Sequence, residues 1–165
     1  MSRLTAAQQQ VRREFLQQVQ DGRLDKPVAE ASGLPNLAYT CPDFFALEQQ
    51  TVFRNNWVFA GFMHQFGKAG DMQPVEVAGQ PVVLVLAEDH SIRAFHNVCR
   101  HRGAKLLDAQ GNCKKIVCPY HRWQYQLDGN LSNVPQQGKQ LPDLNLDDWG
   151  LIPVPLANWE GLLFV

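Results

Sequence analysis

No hydrophobic run in this sequence is long enough to cross a membrane. The longest, Val82-Val83-Leu84-Val85-Leu86-Ala87, falls far short of the ~20 apolar residues that a spanning helix needs. An excess of one charge is missing too. Lys and Arg number 15 against 16 Asp and Glu, a formal net charge of −1, so no global field points to nucleic acid or an anionic lipid surface. The opening residues MSRLTAAQQQ lack the apolar core of an export signal, and a cytoplasmic protein is expected. Cysteine is scarce, four in 165 residues. Four could close two disulfides, but a chain of this size without an export signal does not need them. What is present is enough for a core: 45% hydrophobic residues with 19% charged, a composition that argues against disorder.

The texture changes along the chain. Leu4, Ala7, Val11, Phe15, Leu16 and Val19 recur at helical spacing in a glutamine-rich stretch, with Gly22 as a stop. Residues 25–41 hold Pro27, Ser32, Gly33 and Pro35 and read as a linker. A second helix is expected after Thr40 or Pro42, with Asp43 in its first turn, running to about Asn56. From Trp57 onward the runs WVFAGF, PVEVA, PVVLVLA, IRAF, KIV and WQYQL are short and rich in branched and aromatic residues. Turn residues separate them at Ala78-Gly79-Gln80, Glu88-Asp89-His90-Ser91 and Asp128-Gly129. Short strands so closely spaced predict a small antiparallel β fold instead of βαβ units.

Two segments carry chemistry. Asn97-Val98-Cys99-Arg100-His101-Arg102-Gly103-Ala104-Lys105-Leu106 and Cys118-Pro119-Tyr120-His121-Arg122-Trp123 together give C-x-H, sixteen intervening residues, then C-x-x-H. A thiolate and an imidazole two or three residues apart on a tight loop can point the same way. Two such loops brought tip to tip supply two sulfurs and two nitrogens to one small volume. Zinc accepts that set, but its usual fingers draw one ligand type from each segment. One cysteine and one histidine per segment suits a two-iron, two-sulfide cluster with thiolates on one iron and imidazoles on the other. A zinc-stabilised binding module stays the rival on these residues alone.

Both segments, with the LDG turn after them, resemble the Rieske domain of Rieske non-haem iron oxygenases, the family of ring-hydroxylating dioxygenase alpha subunits. The resemblance covers residues 40–165 and rests on FRNNW, FHNVCRHRGA and CPYHRWQYQLDG. It implies a mainly β fold: a small antiparallel β-sandwich with cluster-binding loops, preceded by N-terminal helices. Residues 1–40 would form a helical arm and linker, and 41–165 the Rieske domain. It implies that Cys99 and Cys118 ligate an inner iron and His101 and His121 an outer iron nearer solvent. It further implies a reductase or ferredoxin as electron donor and a mononuclear non-haem Fe(II) in a catalytic domain of the same or a neighbouring subunit. That iron would serve O2-dependent hydroxylation in a homo-oligomer, a trimer or hexamer. The other reading within this class is a stand-alone Rieske ferredoxin.

The same resemblance bears on redox potential. Respiratory Rieske proteins carry an extra cysteine in each loop; Tyr120 occupies that place in the second loop here, and no spare cysteine follows His101. Trp123 stands where those proteins have a serine bonded to a cluster sulfur. Fewer hydrogen bonds to sulfur predict a potential near the low end of the Rieske range, about −150 mV. Two ferric ions, two sulfides and two thiolates sum to zero, so the reduced cluster carries −1. Arg100, Arg102, Lys105 and Arg122 lie near the ligands, some to stabilise that charge and others to form a basic rim for an acidic redox partner. Internal ion pairing is the expectation for Arg102.

The remaining candidates read as ordinary. Cys41 and Cys113 are expected to be non-ligating thiols, His96 a structural residue, His90 a solvated turn residue and His64 a locally packed one. Trp57, Trp123, Trp149 and Trp159 are expected to build the core and brace the loops. A mononuclear iron site needs two histidines and a carboxylate, and no histidine follows His121. No catalytic residue is therefore expected in this chain, and its apolar end, WEGLLFV, reads as a cut before an absent catalytic domain.

Overall fold

The structure is a computed structural model of the chain and describes residues 5–22, 27, 29, 33–135 and 143–165. It divides into two compact units, Met1–Asn56 and Trp57–Val165.

The first unit is helical. Helix α1 (Ala6–Gln20) buries Val11 and ends before Gly22, which has a left-handed φ of +65°. Helix α2 (Asn36–Thr40) lies inside the stretch expected to be a linker. Pro35 accepts the first turn's hydrogen bond from Ala38, so the proline starts a helix there instead of breaking one. Residues 25–26, 28 and 30–32 of that expected linker lie outside the described residues. Helix α3 (Pro42–Thr51) has Pro42 and Asp43 in its first turn, as read from the sequence, but stops five residues before Asn56. A 3-10 turn, Phe53–Asn55, replaces its expected last turn. Helix α3 packs with α1, α2 and that turn, and the two compact units divide after Asn56.

Among the described residues the second unit is antiparallel and forms three sheets. Strands β1 (Phe59–Phe62), β10 (Ala157–Trp159) and β11 (Leu162–Phe164) form one, in the order β1-β11-β10. The central sheet has the order β5-β2-β3-β4-β9: β2 (Asp71–Val77), β3 (Gln80–Leu86), β4 (Ile92–His96), β5 (Gly111–Asn112) and β9 (Pro153–Val154). The third is a meander of β6 (Ile116–Val117), β7 (Gln124–Tyr125) and β8 (Leu131–Asn133).

Strand β3 explains the layering. Its alternate residues enter different cores: Val83 and Val85 join Phe95, Cys99, Cys118 and Tyr125, whereas Val82, Leu84 and Leu86 join Ala60, Phe66 and Leu163. A strand with two buried faces reads as a continuous apolar run, which is why the longest hydrophobic run of the sequence is here. The first core contains both cysteines of the C-x-H and C-x-x-H segments, so the cluster loops rest on the central sheet.

Tight turns hold the register. Ala78 and Gly79 both have positive φ, +51° and +72°, and join β2 to β3 with Val77 opposite Gln80. Asp128-Gly129 closes the β7–β8 hairpin: Gly129 has φ +91°, and a side chain on it would run into the ring of Phe95. Trp123 is buried and Trp149 packs against the first core, as expected. Trp57 and Trp159 are not core residues; they are 58% and 66% exposed. Trp159 is on the edge strand of a small sheet, where strand alternation points it outward.

Candidate metal centre

The two segments fold into loops of one design. The first leaves β4, and the amide of Cys99 donates to the carbonyl of Ala104 at 2.7 Å while Gly103 donates back to Cys99 at 3.0 Å. The second connects β6 to β7, and Cys118 donates to Trp123 at 2.8 Å while Arg122 donates back to Cys118 at 3.1 Å. Each cysteine thus begins a closed turn whose fifth residue is left-handed, Gly103 at φ +71° and Arg122 at φ +62°. Glycine adopts that backbone freely, whereas an L side chain there costs about 1 kcal/mol.

The first loop is longer and needs an anchor. Asn97 is fully buried, and its side-chain amide donates to the Leu107 carbonyl at 2.7 Å and accepts from the Leu107 amide at 3.0 Å. It therefore acts as a strand partner for the far end of the loop. Val98 and Lys105 add a bridge across the neck. The second loop needs no such device, because β6 and β7 pair directly beneath it.

All four candidate ligands lie in this unit, as a cysteine pair and a histidine pair. Cys99 and Cys118 are 2% and 1% exposed, at the base of the loops, with their side chains in hydrogen-bonding reach of each other. The half-buried rings of His101 and His121 lie 4.7 Å apart between centroids, nearly perpendicular. Trp123 stacks on His101 at 4.8 Å and 8°, Tyr120 covers His121 at 3.9 Å, and Trp149 meets Trp123 edge-on at 5.8 Å. Cys113 is exposed, and Cys41 belongs to the helical unit. His90 sits in its turn with φ +60°, and His64 packs on Phe62.

Burial favours the neutral forms of Cys99 and His101. Burial pushes the Cys99 thiol up, and the neighbouring Cys118 adds to that. Burial pushes the His101 imidazole down, helped by His121 and Arg102. Neutral imidazoles have a free lone pair for a metal, and buried thiols release protons when a metal binds. The Nδ1 atoms of His101 and His121 are buried and have no hydrogen-bond partner. A buried unpaired polar atom is costly, and two on facing rings fit a pair of metal-donor nitrogens. Among the described residues no group of three His, Cys, Asp or Glu gathers as a single ion requires. The donors come instead as a thiol pair and an imidazole pair, the division that suits two irons.

Two residues gained roles that the sequence reading did not give them. Asn97 is one. Tyr125 is the other: fully buried, its hydroxyl lies 3.3 Å from the Cys99 sulfur and accepts the Arg100 amide at 3.1 Å. With a deprotonated sulfur beside it, the phenol donates to that sulfur. Burial and Cys99 both push the phenol's pKa up, which keeps its proton in place. The sequence signal was Tyr125 inside WQYQL, two residues beyond Trp123, where strand alternation returns it to the Trp123 face. The ion pair expected for Arg102 is absent among the described residues; Lys105 makes one instead, with Asp108 at 3.1 Å.

Comparison with known proteins agrees with this geometry. The profile of the Rieske [2Fe–2S] domain matches residues 56–155, and the chain belongs to that family. It is 40% identical over 133 residues to the glycine betaine monooxygenase oxygenase subunit of Chromohalobacter salexigens, covering 80% of this chain and 29% of that one. It is 38% identical over 127 residues to the benzene 1,2-dioxygenase alpha subunit of Pseudomonas putida, covering 76% and 28%. Naphthalene 1,2-dioxygenase from Rhodococcus sp. superposes with a TM-score of 0.80 at 29% identity, over 92% of this chain and 34% of that one. The chain therefore spans about a third of the length of these relatives.

Proposed function

We propose that this chain is the electron-transfer domain of an oxygenase terminal component, with Cys99 and Cys118 on the inner iron and His101 and His121 on the outer iron. The observation that carries the reading is a pair of buried thiols and a pair of imidazoles whose buried Nδ1 atoms have no hydrogen-bond partner. A cluster held there supplies reversible one-electron chemistry. The protein's part is to exclude water from the sulfurs, fix the imidazole planes and present their outer edges. Trp123 and Tyr120 hold the two rings, and Tyr125 stabilises negative charge on the Cys99 sulfur.

The relatives support the wider role. One is named for glycine betaine and another for benzene, unlike substrates for which the same domain is present. Its task is thus the step common to both, electron supply. In the full protein we place a reductase or ferredoxin as donor and a mononuclear non-haem Fe(II), in a catalytic domain of the same or a neighbouring subunit, as acceptor. A cytoplasmic homo-oligomer, trimer or hexamer, follows from the same reading. Among the described residues no helix is long and apolar enough to cross a membrane.

A redox titration of the anaerobically reconstituted chain tests the proposal. One electron per chain with a midpoint of about −150 mV is expected. A colourless protein, or a midpoint well above 0 mV, contradicts it.

A further inference from the structure

The first cysteine loop grips two tryptophans that belong to other parts of the chain. His101 lies flat on Trp123, with 4.8 Å between ring centroids and 8° between planes. The guanidinium of the preceding residue, Arg100, lies over Trp149 at 5.7 Å. The two indoles meet edge-on at 5.8 Å, so the contacts close a circuit: Arg100, Trp149, Trp123, His101. Each member is fixed by a different element. Trp123 closes the second loop, its carbonyl accepting the Cys118 amide at 2.8 Å, and it is 3% exposed. Trp149 ends a 3-10 turn, Leu146–Trp149, and packs on the first core. Arg100 is tied at its own amide, which donates to the buried Tyr125 hydroxyl at 3.1 Å. The other imidazole is less supported. Among the described residues the His121 ring meets His101 and Tyr120, its neighbour on the same loop, and Tyr120 is 63% exposed.

We propose that Trp123 is a positioning residue for the cluster, holding the His101 ring from across the two loops while Trp149 and Arg100 lock Trp123 in place. This rests on the proposed electron-transfer role and adds to it the residues that keep one imidazole still. A flat stack resists tilting of the imidazole, and the edge contact with Trp149 restrains the indole itself. The Arg100 cation on the Trp149 face ties that second indole back to the first loop. An imidazole whose plane is fixed in advance needs little rearrangement when charge beside it changes by one, the advantage that preorganised groups give in any charge-changing step. His121, under an exposed cover, lacks such a brace. The two imidazoles are therefore unequal: one is braced and one is compliant.

Pulsed EPR on the reduced, 15N-histidine-labelled chain reads the bracing one ring at a time, because each coupling is assigned by its loss in His101→Cys or His121→Cys. Trp123→Leu should lose the resolved His101 coupling to a broad distribution and leave the His121 coupling sharp. Trp123→Phe, which keeps an aromatic face, should retain both. Trp149→Leu should broaden the His101 coupling less than Trp123→Leu does, and should add nothing in the double variant, because it acts only through Trp123. Tyr120→Leu should leave the His101 coupling untouched. A tryptophan with a merely structural role would lower cluster content yet leave both couplings sharp in the loaded fraction. That result overturns the proposal, and so does equal broadening of the two couplings. If Trp123→Leu loads no cluster, the half-buried Trp149 decides: selective broadening of the His101 coupling in Trp149→Leu supports the brace, and an unchanged coupling overturns it. A parent chain without a paramagnetic centre on reduction sinks the electron-transfer role, whereas a parent with two couplings, both unaltered in Trp123→Leu, sinks only the brace.

Discussion

The two cysteine loops share a hydrogen-bond scheme but are stabilised by different means. The loop at Cys118 sits on a strand pair, β6 with β7, and is closed by its own hairpin. The loop at Cys99 leaves β4 alone and depends on the Asn97 amide to hold its return at Leu107. Sulfur hydrogen bonding is unequal as well, because Tyr125 reaches the Cys99 sulfur. One loop is therefore held by strand pairing beneath it and the other by the buried side chains of Asn97 and Tyr125. The difference teaches that equal proposed ligand roles need not mean equal tolerance to mutation.

The comparison can be broken first at the ligands themselves, where the loops should behave alike. Cys99→Ser and Cys118→Ser should each abolish cluster absorbance, whereas Cys113→Ser should retain it; iron and acid-labile sulfide analysis checks all three. The loops should differ at their supports. Asn97→Ala strands the Leu107 amide and carbonyl in the interior and should cost about 2–4 kcal/mol, read by denaturant unfolding. No single polar side chain supporting the Cys118 loop should cost as much.

A smaller effect is expected for Tyr125→Phe. Removing a donor from the Cys99 sulfur destabilises the reduced, more negative state, and a loss of about 1 kcal/mol corresponds to about 40 mV. The midpoint should fall by that amount in a titration, with cluster content unchanged. The smallest effect belongs to the start of β2, where Asp71 pairs with Asn112 of β5. Backbone amides of Lys68 and Gly67, with the Asn112 side chain on β5, hold the Asp71 carboxyl below its ordinary value of 3.8. A carboxyl with a depressed folded-state pKa stabilises the fold above its ordinary pKa and loses that contribution as pH falls through the folded value. Asp71→Asn should flatten acid unfolding below pH 3.8 and leave the cluster spectrum unaltered, a control remote from both loops.

Much of the candidate site was legible because its signal is short-range. C-x-H and C-x-x-H specify donor types within single turns, and hairpin signals such as Asp128-Gly129 place them on strands. What the sequence concealed is long-range. That Asn97 would bond Leu107, or that Tyr125 would reach Cys99 across 26 positions, depends on the stacking of sheets and not on any local pattern. Helix α2 was hidden for a related reason: Pro35 and Gly33 signal a break equally well as a helix start. The exposed Trp57 and Trp159 show that residue size alone does not assign burial.

The account stands on the imidazole pair, which separates this centre from an all-cysteine cluster. Pulsed EPR on the reduced chain, labelled with 15N-histidine, tests it most directly. Two nitrogen couplings are predicted, one vanishing in His101→Cys and the other in His121→Cys. A reduced spectrum without histidine coupling, or no paramagnetic centre on reduction, would contradict it.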